Sequence, residues 1–256
     1  MPAGGPILAI EISNPTATPI DAAADVGPGV ALASRDAEGA IDVLGIEMLT
    51  AKRRHDEDLL PAIDRLCVRT GVEPGQLSAV AVSQGPGGFT GLRVAVSAAS
   101  AIALGLGVGV APVPSPLVAA TGSGTHAGRA LVCLASKRGV CHATLFGEGF
   151  GDGFGGSDGA TWLERRDVLG LIDAERFEAV EVDRVIADGH LPEAMRASAE
   201  ARGIVIEPVR LSAVVLARLA LGEGLAGPIA AVDPALVRAD YAREPEAVRV
   251  WRERRG

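Results

Sequence analysis

Any chemistry of this chain's own has two places to start. One is the segment SQGPGGFTGLR (83–93), where Gly85, Gly87, Gly88 and Gly91 surround Pro86 just before a long run of small residues. The other is Glu11, which follows an apolar run. A glycine-rich turn that launches a helix presents free backbone N–H groups, and these bind phosphate or carboxylate. A carboxylate nearby could then handle phosphate-bound magnesium. The anion or nucleotide contacts expected on this reading are Glu11, Gly85, Gly87, Gly88 and Thr90. The details favour a plainer one. No Lys-Ser or Lys-Thr follows the glycines at phosphate-loop spacing, and the pattern is not Gly-x-Gly-x-x-Gly. A single carboxylate does not make a magnesium–phosphate site. The plainer expectation is a tight turn and packing site, with Glu11 solvated or capping a helix.

Other chemistries have less to build on. His55, His126, His142 and His190 are isolated and form no His-x-x-x-His pair, so no metal site is expected. There is no Gly-x-Ser-x-Gly elbow, and neither Ser83 nor Ser97 has an evident His-Asp partner. No catalytic residue is assigned.

The elements that must position these residues are legible from periodicity. Residues 7–12 read as a buried strand, and 28–34 and 41–49 as two more. Residues 55–71 read as a helix with Leu59, Ile63, Leu66 and Thr70 on one face and acids at its start. Cys67 falls on its apolar side, and Pro61 must lie in the first turn or cause a kink. Residues 77–83 alternate as a strand. A helix follows over 90–104, with Thr90 as its expected N-cap. It is apolar nearly all round, and Arg93, Ser97 and Ser100 share its one polar face. Such a helix needs burial on more than one side. One face can meet a sheet, and a partner subunit is the natural cover for the other. Arg93, its lone charge, is expected to pair with a carboxylate, of this chain or of a partner across the interface. Beyond it, 107–113 reads as a strand and 129–147 as a hairpin turning near Arg138-Gly139. Residues 192–203 and 211–224 read as helices around a strand at 204–209. The pattern is that of two α/β lobes, 1–112 and 113–256. The second carries a glycine-rich loop at 147–159 and an arginine-rich tail, expected to be solvated.

Composition sets the class. A formal net charge of −8 argues against autonomous binding to nucleic acid, whose phosphates need a basic surface. Cys67, Cys133 and Cys141 are too few for a disulfide framework, and the N-terminus lacks the features of a signal peptide. The expected location is cytoplasmic. Residues 94–125 carry no charge, but glycines at 105, 107 and 109 and prolines at 112, 114 and 116 interrupt them, so no membrane span is expected.

These segments together resemble the TsaB (YeaZ) family, the non-catalytic partner proteins of bacterial threonylcarbamoyladenosine tRNA modification. ILAIEIS (7–13) is similar to the family's opening strand. HDEDLLPAIDRL (55–66) is similar to its His-x-x-x-Leu-Leu-Pro helix. Residues 85–93 are similar to its signature, Gly-Pro-Gly-Ser-Phe-Thr-Gly-Leu-Arg. The resemblance covers about residues 5–145 in good order. It implies the α/β, two-lobed actin/sugar-kinase/Hsp70-like fold. It also implies a scaffold role: heterodimerisation with a TsaD-like threonylcarbamoyltransferase through helices 55–70 and 90–105. A TsaE-like ATPase would act on the pair, and tRNA would be met only through the complex. The implied interface is His55, Leu59, Ile63, Leu66, Arg93, Val96, Ser97 and Ser100. No cofactor of its own is implied; ATP is used by the complex.

The chain departs from the family pattern in four places. Glu11 replaces Asp, Gly88 replaces Ser, and Leu236 replaces Tyr in Pro-x-Tyr-x-Arg. The family hairpin Asp-Ala-Arg-x-Gly-Glu-Val-Tyr reads ASKRGVCH (135–142) here. Two alternatives therefore stay open. One is a freestanding ATP-dependent phosphotransferase of this fold; the other is a homodimeric regulatory paralogue.

Overall fold

A computed structural model describes residues 4–14, 20–49, 55–124, 128–147, 166–243 and 251–252, with the backbone alone at 55 and 56. Most of the loop expected at 147–159, His126 and much of the arginine-rich tail lie outside the described residues, as does the His55 side chain.

The chain writes one topology twice. Strands β1 (Ile7–Glu11), β2 (Gly29–Arg35) and β3 (Ile41–Met48) form an antiparallel meander. Helix α1 (His55–Thr70), β4 (Ala79–Gly85), α2 (Phe89–Leu106), β5 (Gly109–Pro114) and α3 (Ser115–Gly122) follow. The sheet order is β3-β2-β1-β4-β5, with β4 parallel to both β1 and β5. The second half repeats this with β6 (Ala130–Lys137), β7 (Val140–Phe146), β8 (Arg166–Ile172), α4 (Ala174–Glu178), β9 (Arg184–Ala187), α5 (Glu193–Ala201), β10 (Val205–Pro208) and α6 (Ala213–Ala220). Its order is β10-β9-β6-β7-β8, the same arrangement strand for strand.

Alternation along each strand builds the layers. In β1, Leu8 and Ile10 point to a core shared with α1 and α2, while Ile7 and Ala9 point to the opposite core. Both faces are buried, so the strand reads as a continuous apolar run. The inner face of the first sheet is mostly alanine: Ala9, Ala31, Ala33, Ala79, Ala81 and Ala111. Small side chains let α3 and α6 lie close, between this sheet and the inner face of the second, which offers Ala130, Val132, Leu134 and Phe146. A third core lies under α4 and α5, around Leu131, Cys133, Cys141 and Met195. The layers are therefore helix, sheet, helix, sheet, helix.

Several expectations need correcting. Leu59 and Leu66 are buried beneath α1 and Val96 beneath α2, so they hold helices to the sheet and cannot present a contact surface. Each such leucine contributes about 2 kcal/mol through burial. Gly45 of β3 admits this close packing, because a Cβ there would come within 2.8 Å of Thr70 Cγ2. Pro61 lies in the second turn of α1, not the first. It is exposed, and its missing N–H removes one helical hydrogen bond there. Helix α2 starts at Phe89 with Gly88 as its N-cap, displacing Thr90 into the first turn. Gly88 is extended and has no side chain to cap with. Helix α3 was not expected; Pro116, near its start, suits a first turn, where the missing N–H costs nothing.

By length and composition α2 could cross a membrane. Instead it joins the parallel strands β4 and β5 and buries Leu92, Ala95, Ala99 and Ala103 on their sheet. Its opposite face is exposed, which the run of small apolar residues had already required some surface to cover.

Candidate functional site

In α/β sheets with parallel strands, ligands gather outside the carboxyl ends of those strands. Both halves bring polar groups to that end. Glu11 closes β1, and Ser83 lies beside it near the end of β4. In the second half Asp188 follows β9 and accepts the Ser136 N–H at 3.0 Å, near the end of β6.

Glu11 is 1% exposed, contrary to the solvated carboxylate expected. Its Oε1 accepts the Ser13 N–H at 2.8 Å and the Ser13 hydroxyl at 2.7 Å. Its Oε2 accepts the Ser83 hydroxyl. Burial pushes this carboxyl above its ordinary value, and the hydrogen bonds from Ser83 and Ser13 pull it back. With both oxygens occupied, Glu11 braces the ends of β1 and β4. Ser13 escaped the sequence reading, although its position two residues past a carboxylate is the spacing at which a hydroxyl and its own N–H fold back.

The glycines are explained by backbone contacts. A Cβ on Gly87 would overlap the Ser13 carbonyl oxygen. The Gly88 N–H donates to that same oxygen at 2.6 Å, so it is already committed. Gly85 has φ +122°, and a Cβ there would overlap the carbonyl oxygen of Asp240. The turn thus brings Glu11, Gly85, Gly87 and Gly88 together through Ser13 and Ser83. Thr90 stands apart, exposed in the first turn of α2.

Arg93 was expected to meet a carboxylate, its own or a partner's. It has no such partner among the described residues; its guanidinium lies 5.4 Å from the centroid of the Phe89 ring, a cation–π contact. The spacing of i and i+4 places the two one above the other. Along the same face run Ser97, Ala101 and Leu104, all exposed, with Ser100 half-buried beside them. On neighbouring α1, Leu60 is 60% and Val68 77% exposed, while Ile63 is half-buried. Two adjacent helices therefore present large apolar side chains outward. No group of three or more His, Cys, Asp or Glu side chains suited to a metal occurs among the described residues.

The sequence reading missed one segment altogether. Residues Arg238–Arg243 lie across the site. The Asp240 N–H donates to the Gln84 carbonyl at 2.8 Å, and the Gln84 amide donates to the Arg238 carbonyl at 2.9 Å. The Tyr241 ring stacks on Phe89 with centroids 4.8 Å apart. Arg243 donates to the carbonyls of Ala135, Lys137 and Val140, around the β6–β7 turn. Tyr241 is the sole tyrosine of the chain, which was the one available signal.

Residues 43–139, from β3 to the turn after β6, match the family model of TsaD, tRNA N6-adenosine threonylcarbamoyltransferase. Two solved structures have a similar fold. One is an uncharacterized protein with similarity to peptidase YEAZ from Pseudomonas aeruginosa, with TM-score 0.59, 17% identity, and cover of 94% of this chain and 100% of that one. The other is YeaZ from Pseudomonas aeruginosa, with TM-score 0.58, 16% identity, and cover of 93% and 100%. No curated protein matches. The fold is that of the YeaZ-like proteins, the two-lobed actin/sugar-kinase/Hsp70-like type expected from the sequence.

Proposed function

We propose that the chain is a divergent TsaB (YeaZ)-like protein acting in threonylcarbamoyladenosine modification of tRNA, as a partner that does no chemistry itself. The observation that carries this reading is the exposed outer face of α1 and α2: Leu60, Val68, Phe89 and Leu104 project from two adjacent helices of one lobe. Large apolar side chains turned outward on neighbouring helices are what a docking partner would cover. The TsaD-family match over 43–139 includes both helices and supports a partner of that pathway. On this proposal Arg93, Ser97 and Ser100 supply the polar part of the contact, with His55 at its edge. A TsaE-like ATPase acts on the pair, and tRNA is met through the complex. The inward-turned Glu11 gives the phosphotransferase alternative no support.

The test is to mix the purified chain at micromolar concentration with the TsaD-like protein of the same organism and measure mass by light scattering. A 1:1 complex is expected, weakened at least ~tenfold, about 1.4 kcal/mol, by Leu104→Glu. Two unchanged separate peaks overturn the scaffold role. A homodimer that persists in the mixture favours the regulatory paralogue.

A further inference from the structure

The core under α4 and α5 holds two of the chain's three cysteines and one of its three methionines. In the antiparallel ladder of β6 and β7, Cys133 stands opposite Ala143. Cys141 lies two residues before Ala143, so it points to the same face, diagonal to Cys133. The Cys133 thiol shares a hydrogen bond with Cys141; that bond, and then burial, hold it well above its ordinary value. Cys141 Sγ in turn stands 3.7 Å from Sδ of Met195, on α5. Three sulfur atoms from two strands and one helix are thus linked contact by contact, and all three side chains are wholly buried.

The chemistry open to this set is narrow. Thiolate and thioether sulfurs are soft donors and select Cu(I) over harder ions. The nearest carboxylate is already committed: Asp188 accepts the Ser136 N–H at 3.0 Å through one oxygen and the His190 N–H at 3.0 Å through the other. The spacing also suits. A metal–sulfur bond of about 2.3 Å and a trigonal angle set two ligating sulfurs about 4 Å apart. The 3.7 Å between Cys141 and Met195 therefore needs only a slight widening. Leu131, Leu145, Ile172 and Phe177 belong to the same core, and an apolar shell of this kind keeps solvent from a bound ion.

We propose that Cys133, Cys141 and Met195 form a three-sulfur site for a soft monovalent metal ion, Cu(I). The ion keeps its oxidation state, and each thiol that ligates it gives its proton to solvent. Helix α5, which carries Met195, is the cover that must lift for the ion to enter. Histidine spacing, on which no metal was expected, does not see a thioether 54 positions from its thiol. The site lies in the second lobe and shares no residue with the face of α1 and α2, so it stands apart from the partner reading.

Anaerobic titration of the full chain with Cu(I), in competition with the chromogenic chelator bicinchoninate and with ascorbate as reductant, tests it. The parent is expected to withhold one ion per chain from the chelator, and its thermal midpoint should rise when Cu(I) is added. Met195→Leu keeps the volume of the core and should weaken retention at least ~tenfold. Cys141→Ser should abolish it; should that variant lose its fold by circular dichroism, Met195→Leu carries the comparison. Cys67→Ser, at the cysteine outside this core, should change nothing. No ion withheld by the parent, or retention unchanged in Met195→Leu, overturns the proposal, as does retention lost in Cys67→Ser.

Discussion

At the scale of single residues, two carboxylates make opposite predictions for acid. Glu11 has its carboxyl raised above the ordinary 4.5 by burial. The folded state then binds the proton more tightly than the unfolded one, so this group's contribution to stability is full below 4.5 and is lost as pH rises through the raised value. Glu47 runs the other way. Partial burial pushes it up, but hydrogen bonds from Arg69 and Arg65 outweigh this and hold it below 4.5. Its contribution is present above 4.5 and is lost as pH falls through the lowered value. Denaturant unfolding against pH should therefore lose its decline above 4.5 in Glu11→Gln and soften its acid-side loss in Glu47→Gln. Identical pH profiles for the parent and both variants would show that neither group is coupled to folding. The glycines divide as sharply. Gly87→Ala drives a methyl into the Ser13 carbonyl and should cost about 2–4 kcal/mol. Gly105→Ala, in α2 with open space at its Cβ, should instead stabilise by about 0.5–1 kcal/mol. Chemical denaturation of the two variants reads both signs.

At the scale of elements, α2 is where reading and structure meet. Its inner face follows from the period of Leu92, Ala95, Ala99 and Ala103. The sequence also showed that Arg93 was its only charge, and an unpaired charge suggested a carboxylate. It could not show that Phe89, one turn earlier, offers a ring for that charge to rest on. Arg93→Ala should therefore cost no more than about 0.5–1 kcal/mol in thermal unfolding while weakening the complex with the TsaD-like partner. A large loss of stability would mean that Arg93 serves the fold. The N-cap was misplaced for a related reason: Thr90 has the right side chain for a cap, yet the chain turns two residues earlier because only glycines tolerate the close approach of Ser13. Leu59 and Leu66 were assigned outward because a stripe of apolar residues says that a face is covered but not by what; their own sheet covers it.

At the scale of the whole molecule, the strands of both halves were largely legible, and the fold type came through resemblance. That the two lobes share a similar topology came with the resemblance and not from the residues themselves, because the halves share an order of elements and not a pattern of residues. The contacts that cross between them were not legible. Glu11 with Ser83 spans 72 positions, and Arg243 with Ala135 spans 108, so no local spacing reports either. A carboxylate that looked solvated is buried, and a tail that looked solvated begins with contacts to both halves, for that one reason.

The alanine face of the first sheet has a consequence in calorimetry. Six methyl groups line a surface where leucine or phenylalanine would ordinarily stand, and aromatics make up only 3% of the chain. Close approach of α3 and α6 preserves the packing, yet each inner residue hides little hydrocarbon from water. Unfolding then hydrates less apolar area per residue, and the heat-capacity increment should fall at or below the low end of the common ~12–15 cal/mol/K per residue. The stability curve against temperature would be correspondingly flat. Thin lining, in thermal terms, trades a tall maximum for a broad one.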